Sequence, residues 1–175
     1  MRRAAGRDFF DVARAWASAV MLAAGAAAII GSTLEWVSIT LRPELQPGAT
    51  FQGQDNRPEE PEVTKPFTGL EARDGWWSLT GGVVLVVAAV LLWLRRRATW
   101  GWLGLVGSML AGAVAIADYR GIGDLSSSIS HRMDIVGRAR PAFGLTLVVA
   151  AGIAGLVASV AGIAASPREE LRTSV

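Results

Sequence analysis

The side chains that could do chemistry in this sequence gather in one polar stretch. A serine-rich run, Ser126–Ser130, precedes the single histidine, His131, and Asp134 follows it. A serine, a histidine and an aspartate can serve as nucleophile, base and orienting group of a hydrolase when a rigid scaffold holds them at hydrogen-bond distance. This stretch has no nucleophile-elbow motif. Polar residues are also common on surface loops that contact water, and this explains the same residues more simply. We therefore predict no catalytic residue, and the loop-borne hydrolase stays a function to test.

Metal binding is the second chemistry that these residues suggest. His131 could share an ion with Asp118, Asp124 and Asp134 if folding brought all four together. Histidine and cysteine supply most zinc ligands, and this chain has one histidine and no cysteine. The lack of cysteine also excludes disulfides and cysteine catalysis. The expectation is a protein without metal, without cofactor and without enzymatic activity.

Composition places the chain among membrane proteins. Its 175 residues are 51% hydrophobic with a mean hydropathy of +0.38, and the apolar residues come in long blocks. A net charge of +2 and a pI near 9.9 would suit nucleic-acid binding. The arginines, however, flank apolar blocks or mix with acids, and no basic face with interleaved aromatics occurs. Nucleic acid is therefore not an expected partner.

The stretch that must position the other elements is Trp76–Arg97. From Trp77 to Leu94 it is uncharged and apolar, and as a helix it would be about 27 Å long, close to the thickness of a hydrocarbon core. Arg95–Arg97 follow directly, and arginine is enriched on the cytoplasmic side of spans. We predict a span that runs from outside to inside, with the arginines as topology anchor and as a contact for anionic lipids.

Three further apolar blocks bring the number of spans to four. The predicted spans are residues 15–34, 77–94, 100–117 and 143–165, with outer segments at 35–76 and 118–142. Inner segments then hold nine basic and four acidic residues, against eight and eleven in the outer segments, as the charge bias of membrane proteins requires. The expected fold is an all-α membrane protein: one domain, a four-helix antiparallel bundle, multi-pass in the plasma membrane with both termini cytoplasmic.

All seven tryptophans fall at predicted span boundaries, and none falls at mid-span. Tryptophan is enriched at both membrane–water interfaces, where its ring sits at headgroup level. The predicted interface anchors are Trp16, Trp93, Trp100 and Trp102 on the inner side and Trp36, Trp76 and Trp77 on the outer side.

The outer segments are expected to hold little regular structure. Trp36–Arg42 alternates apolar and polar residues, which is typical of a half-buried strand, and a second short strand near Glu62–Phe67 would complete a small β-hairpin. The proline-rich middle of this segment is predicted to be loop, and so is Gly121–Arg140 in the second outer segment.

Small residues at four-residue spacing mark faces by which the spans could pack. Lipid provides no hydrophobic drive between helices, so contact depends on close backbone approach. One stripe lies in the third span and one in the fourth; the residues are Gly104, Ser108, Gly112, Ala151, Gly155 and Ser159. They would either pack the bundle or form an interface with a partner protein, and the sequence leaves both interpretations open.

The predicted spans contain neither ionisable residues nor proline. Ionisable groups at depth mark proton relays and ion paths, and broken helices build many transporter sites. A pump or an ion-coupled transporter that acts by itself is therefore not expected.

Four different short motifs lie at the ends of the spans. They are Leu34-Glu35-Trp36-Val37, Gly69-Leu70-Glu71, Asp74-Gly75-Trp76 and Asp118-Tyr119-Arg120. With the tight arginine turn, these motifs resemble the four-span, tryptophan-associated membrane proteins of actinobacteria. The topology is also similar to that of claudin-type tetraspans, although the claudin cysteine pair is missing. Some proteins of the actinobacterial kind look like accessory subunits of mammalian-cell-entry (MCE) type lipid importers, and the resemblance implies a role in lipid transport by association.

Three functions follow as hypotheses. The first is a non-enzymatic accessory or scaffold subunit of a cell-envelope complex, with membrane lipids and a larger membrane protein complex as partners. The second is a stand-alone oligomeric carrier or channel for a lipid or small molecule. The third is the loop-borne hydrolase.

Overall fold

The computed structural model describes residues 2–42, 63–71, 73–133 and 136–166 of the chain. The predicted loop at 43–62 thus lies outside the described residues. Within the described ranges the elements are, in order, α1 (Arg2–Thr33), β1 (Glu35–Arg42), β2 (Val63–Thr68), α2 (Gly75–Arg95), α3 (Ala98–Met133), β3 (Val136–Pro141) and α4 (Phe143–Ala164).

The four helices pack as a ring in which each helix contacts two neighbours. Helix α1 packs against α2 and α4, and α3 packs against the same two helices from the opposite side. We call the end of the bundle that carries Arg95–Arg97 the arginine end, and the opposite end, where the strands lie, the sheet end. The predicted four-helix antiparallel bundle is confirmed.

Each helix contains a stretch long and apolar enough to cross a bilayer. These stretches are Phe9–Thr33, Gly75–Arg95, Ala98–Ile122 and Phe143–Ala164, with mean hydropathies between 1.6 and 2.3. By length and composition the chain is therefore an integral membrane protein with four spans. The side of the membrane on which the termini lie stays a prediction.

A three-stranded antiparallel sheet covers the sheet end, in the order β2-β1-β3. The expected hairpin is confirmed by the pairing of β1 with β2, from Glu35 opposite Thr68 to Leu41 opposite Val63. Strand β3 pairs with the other side of β1 and was not predicted. Its sequence, VGRARP, shows little of the apolar alternation that marks a strand, so the pairing with β1 rather than local preference determines its structure.

Helix α3 continues well past the predicted end of its span. The span predicted from the sequence ends at Ala117, with loop over Gly121–Arg140, but the backbone is helical up to Met133. Serine and glycine disfavour helix interiors, which is why this part was predicted as loop. Ile122 is 5% exposed and belongs to the core cluster at the sheet end, so packing overrides the local preference there.

Trp36 joins the sheet to the bundle. The pairing register shifts between Glu35 and Val37, and a bulge of this kind can turn a side chain inward. The Trp36 indole is 1% exposed, and its Nε1–H donates a hydrogen bond of 2.9 Å to the carbonyl oxygen of Gly31. The Trp36 carbonyl in turn accepts the Ala142 N–H at 2.8 Å, directly before α4. The prediction that Trp36 is an interface anchor is wrong, because a buried ring cannot reach lipid headgroups.

Replacing Trp36 should therefore weaken the whole fold. We expect Trp36→Phe to lower the free energy of unfolding by about 1–3 kcal/mol, because the change removes a buried hydrogen bond and leaves a void. Denaturation by sodium dodecyl sulfate in mixed micelles measures this. Trp77→Phe is the matched control. Because Trp77 is 58% exposed, this substitution should change the free energy of unfolding by no more than about 0.5 kcal/mol. Equal effects of the two substitutions would contradict the joining role of Trp36.

Candidate functional site

The predicted small-residue stripes meet each other at the contact between α3 and α4, which we call the α3–α4 seam. All six residues are buried: Gly104, Ser108, Gly112, Ala151, Gly155 and Ser159. The Ser108 hydroxyl donates to the Gly104 carbonyl at 2.6 Å, and the Ser159 hydroxyl donates to the Gly155 carbonyl at 2.7 Å. These hydroxyls are satisfied within their own helices. The stripes are thus covered by the chain itself and leave no surface for a partner protein at this place.

Backbone contact across the seam involves Gly152, a residue that was not among the predicted stripes. A Cβ atom added to Gly152 would lie 2.7 Å from the Cα of Gly112, so the two backbones touch. A Cβ added to Gly155 would lie 2.6 Å from Cδ2 of Leu85, which fills the centre of the bundle. Gly152 and Gly155 are three residues apart and share a helix face, and that spacing is the signal that could have found Gly152.

Charged side chains occur at the two ends of the bundle. At the arginine end, Arg14 is 6% exposed and its guanidinium forms an ion pair with Asp11. At the sheet end, Asp118 lies beside Asp74, and its Oδ2 atom is buried without a hydrogen-bond partner among the described residues. Within the described part of the chain, no three metal-ligating side chains come together.

The proposed hydrolase residues fall partly outside the described structure. The backbone of Ser126–Ser130 and His131 is helical and belongs to α3, so these residues do not lie on the predicted loop. Their side chains, and Asp134 as a whole, are outside the described residues. The hydrolase hypothesis therefore stays untested.

Five tryptophans form two exposed bands around the bundle. Trp16, Trp93 and Trp102 lie near the arginine end, Trp76 and Trp77 lie at the sheet end, and all five side chains are between 58% and 69% exposed. Trp77 and Trp93 lie 16 residues apart on α2, about 24 Å along the axis. This separation suits rings at the two borders of a hydrocarbon core of about 30 Å. Their role as membrane anchors stays a prediction.

Trp100 is the remaining tryptophan and differs from these five. It is half-buried, and its indole N–H has no hydrogen-bond partner in the described ranges. Its ring packs against the core cluster that includes Met21 and Leu92. Trp100 therefore contributes to the packing of the bundle at the arginine end.

An apolar groove with a volume of about 460 Å³ opens between α1 and α2, in the half of the bundle nearer the arginine end. We call it the α1–α2 groove. Its lining comes from both helices and includes Ala19, Leu22 and Ala23 of α1 and Val90, Trp93 and Leu94 of α2. The groove faces outward from the bundle, where lipid would lie.

The three predicted lipid-contacting arginines lie directly beyond this groove. Arg95 is the last residue of α2, and Arg96 follows in the left-handed conformation (φ 54°), with its N–H donating to the Leu92 carbonyl at 3.1 Å. All of Arg95–Arg97 are exposed. Helix α2 therefore ends in a left-handed cap, and exposed positive charge follows the last groove residue, Leu94.

No protein-family model matches this sequence, and searches of curated proteins and of solved structures likewise found no match. The function must therefore be inferred from the geometry of this chain.

The α3–α4 seam allows a sharp test with two alanine substitutions. We expect Gly152→Ala to lower the free energy of unfolding by about 1–3 kcal/mol, because the new methyl group would press on the Gly112 backbone. Gly112→Ala should be neutral or slightly stabilising, because a Cβ there meets its nearest neighbour at 3.5 Å, an ordinary contact. Unfolding in mixed micelles compares the two. A larger loss for Gly112→Ala than for Gly152→Ala would show that the seam is not packed as described.

Proposed function

We propose that this protein is a non-enzymatic scaffold subunit of a larger membrane complex in the cell envelope, and that this complex handles lipids. The filled interior of the bundle is the observation that supports the scaffold role. Met21, Leu85 and Leu92 occupy the space between the helices toward the arginine end, and Leu145 and Val148 occupy it toward the sheet end. Each of these five side chains is at most 1% exposed.

A filled and uncharged interior limits what the spans can do. No Asp, Glu, Lys, Arg or His occurs in the predicted spans 15–34, 77–94, 100–117 and 143–165. The apolar stretches of the structure are longer and include Arg14 and Asp118, which lie toward the two ends of the bundle. Paths for ions, protons and polar solutes through membranes depend on ionisable groups or on water-lined cavities. Between the two ends of the bundle, the described residues of a single copy offer no such path. The protein therefore acts through its outer surface.

The sheet end offers a surface that suits a partner in the aqueous phase. The hydroxyl groups of Thr40 and Thr64 lie 3.4 Å apart and are exposed, while Val37 packs against the core of the bundle. A polar sheet face held rigidly at one end of the bundle can bind a soluble domain, since non-obligate interfaces are about as polar as the rest of a protein surface. The lipid-facing helices can bind the spans of the same partner.

The lipid part of the proposal rests on a resemblance and on one feature of the structure. The motifs at the span ends resemble those of proteins that look like accessory subunits of MCE-type lipid importers. The α1–α2 groove adds an apolar surface with arginines at its mouth, which suits contact with lipid.

The proposal is tested by isolating the full chain from native membranes in mild detergent and measuring the mass of the particle that contains it. We expect at least one membrane protein partner in stoichiometric amount, because the proposed scaffold acts by binding through its outer surface. The purified chain in liposomes should move neither lipid nor small solutes.

Isolation as a lone species, combined with flux in liposomes, would contradict the scaffold role and favour the stand-alone carrier. In that case Gly104→Leu, in the buried seam, should abolish flux. Val106→Leu is the matched control, because Val106 is 59% exposed on the lipid-facing side of the same helix.

A further inference from the structure

The α1–α2 groove is closed at about half the height of the bundle. There the two helices touch: a Cβ added to Gly25 would lie 2.8 Å from the Gly82 carbonyl oxygen, and one added to Gly82 would lie 3.0 Å from the Gly25 carbonyl oxygen. From Ala26 to Ser18, both of which line the groove, it extends about 12 Å along α1. A partner helix that spans the bilayer would need a trough of about 30 Å. A short groove with one closed end instead fits part of an acyl chain.

One polar side chain interrupts the apolar lining. Ser18 is 2% exposed, and its hydroxyl has no hydrogen-bond partner within the described part of the chain. Ser108, in contrast, donates to the carbonyl four residues before it. An unpaired hydroxyl in apolar surroundings costs free energy. An occupant that carries an acceptor, such as the ester carbonyl of a glycerolipid, would satisfy it after rotation about χ1.

Positive charge lies at the open end of the groove. The α2 wall ends at Leu94, and Arg95–Arg97 follow directly and are exposed. On the α1 side, the charge of Arg14 is balanced by its ion pair with Asp11. The Trp93 indole is 61% exposed at the same level, where tryptophan marks the headgroup region. Among the described residues, a negative headgroup at this mouth would therefore meet the positive charge of Arg95 and Arg96.

We propose that the α1–α2 groove is a binding site for an anionic glycerophospholipid. One acyl chain lies in the groove beside Ala23, an ester carbonyl accepts the Ser18 hydroxyl, and the phosphate lies against Arg95 and Arg96. The site belongs to this chain alone and requires no partner subunit. Its test is therefore independent of the scaffold role.

Trp93 reports directly on the groove. The full chain is reconstituted into phosphatidylcholine vesicles that contain either phosphatidylcholine or phosphatidylglycerol with brominated acyl chains, and bromine quenches tryptophan fluorescence on contact. The Trp93 signal is the difference between the wild type and Trp93→Phe. We expect half of the maximal quenching at a mole fraction of brominated phosphatidylglycerol roughly fivefold lower than that of brominated phosphatidylcholine. A fivefold difference is roughly the preference for anionic lipid that one nearby arginine provides.

Two pairs of variants connect this preference to the structure. The double variant Arg95→Gln/Arg96→Gln should lose the preference, whereas Arg95→Lys/Arg96→Lys keeps the charge and should retain it. Ala23→Leu fills the groove and should lower the quenching by phosphatidylglycerol. Ala150→Leu, at an exposed alanine of α4, should leave it unchanged.

Equal quenching of wild-type Trp93 by the two lipids would overturn the proposal, because Trp93 would then meet only bulk lipid. Protection of Trp93 from both lipids would also overturn it, since a protein surface, such as a second copy of this chain, would then cover the groove.

Discussion

Close contact between helix backbones is the interaction on which this structure depends. A bilayer is as apolar as the side chains that face it, so burial of apolar surface does not draw the helices together. Contact must come from packing at short range, and glycine permits it. The backbones of Gly112 and Gly152 touch in the α3–α4 seam, and those of Gly25 and Gly82 touch between α1 and α2. Gly81 and Gly107 make the same kind of contact between α2 and α3, as do Gly31 and Gly144 between α1 and α4. With all four sides of the ring held so closely, the interior has room only for side chains such as Leu85 and Leu92.

The same constraint explains where the remaining features lie. Charges occur where the helices leave the apolar region, with Arg14 and Asp11 at one end and Asp74 and Asp118 at the other. The sheet forms beyond the helices because its strands are too polar for the spans, and Trp36 is the side chain by which it is attached. The groove arises between the contact of Gly25 with Gly82 and the arginine end, where α1 and α2 lie farther apart. The packing of the core thus leaves the outer surface as the part of the bundle on which the proposed function depends.

Much of this fold could be predicted from the sequence, because spans depend on local composition. Uncharged runs of sufficient length predict the four helices, and the alternation in Trp36–Arg42 predicts the central strand. Strand β3 and the extension of α3 were missed because each forms against a distant neighbour, despite unfavourable local residues. Trp36 was assigned to the interface because a tryptophan at a span end has the same pattern whether it faces lipid or the core. The groove has no sequence signal, since its shape depends on the distance between two helices.

A single thiol at the centre of the bundle tests most directly whether the interior is dry and filled. The sequence has no cysteine, so Ser108→Cys introduces one thiol with little change in size at a residue that is 1% exposed. In native membranes we predict that a water-soluble thiol reagent leaves this cysteine unmodified while it modifies Thr64→Cys in the sheet. Rapid modification at residue 108 would contradict the prediction, because water would then enter the bundle and a transport path through it would have to be considered.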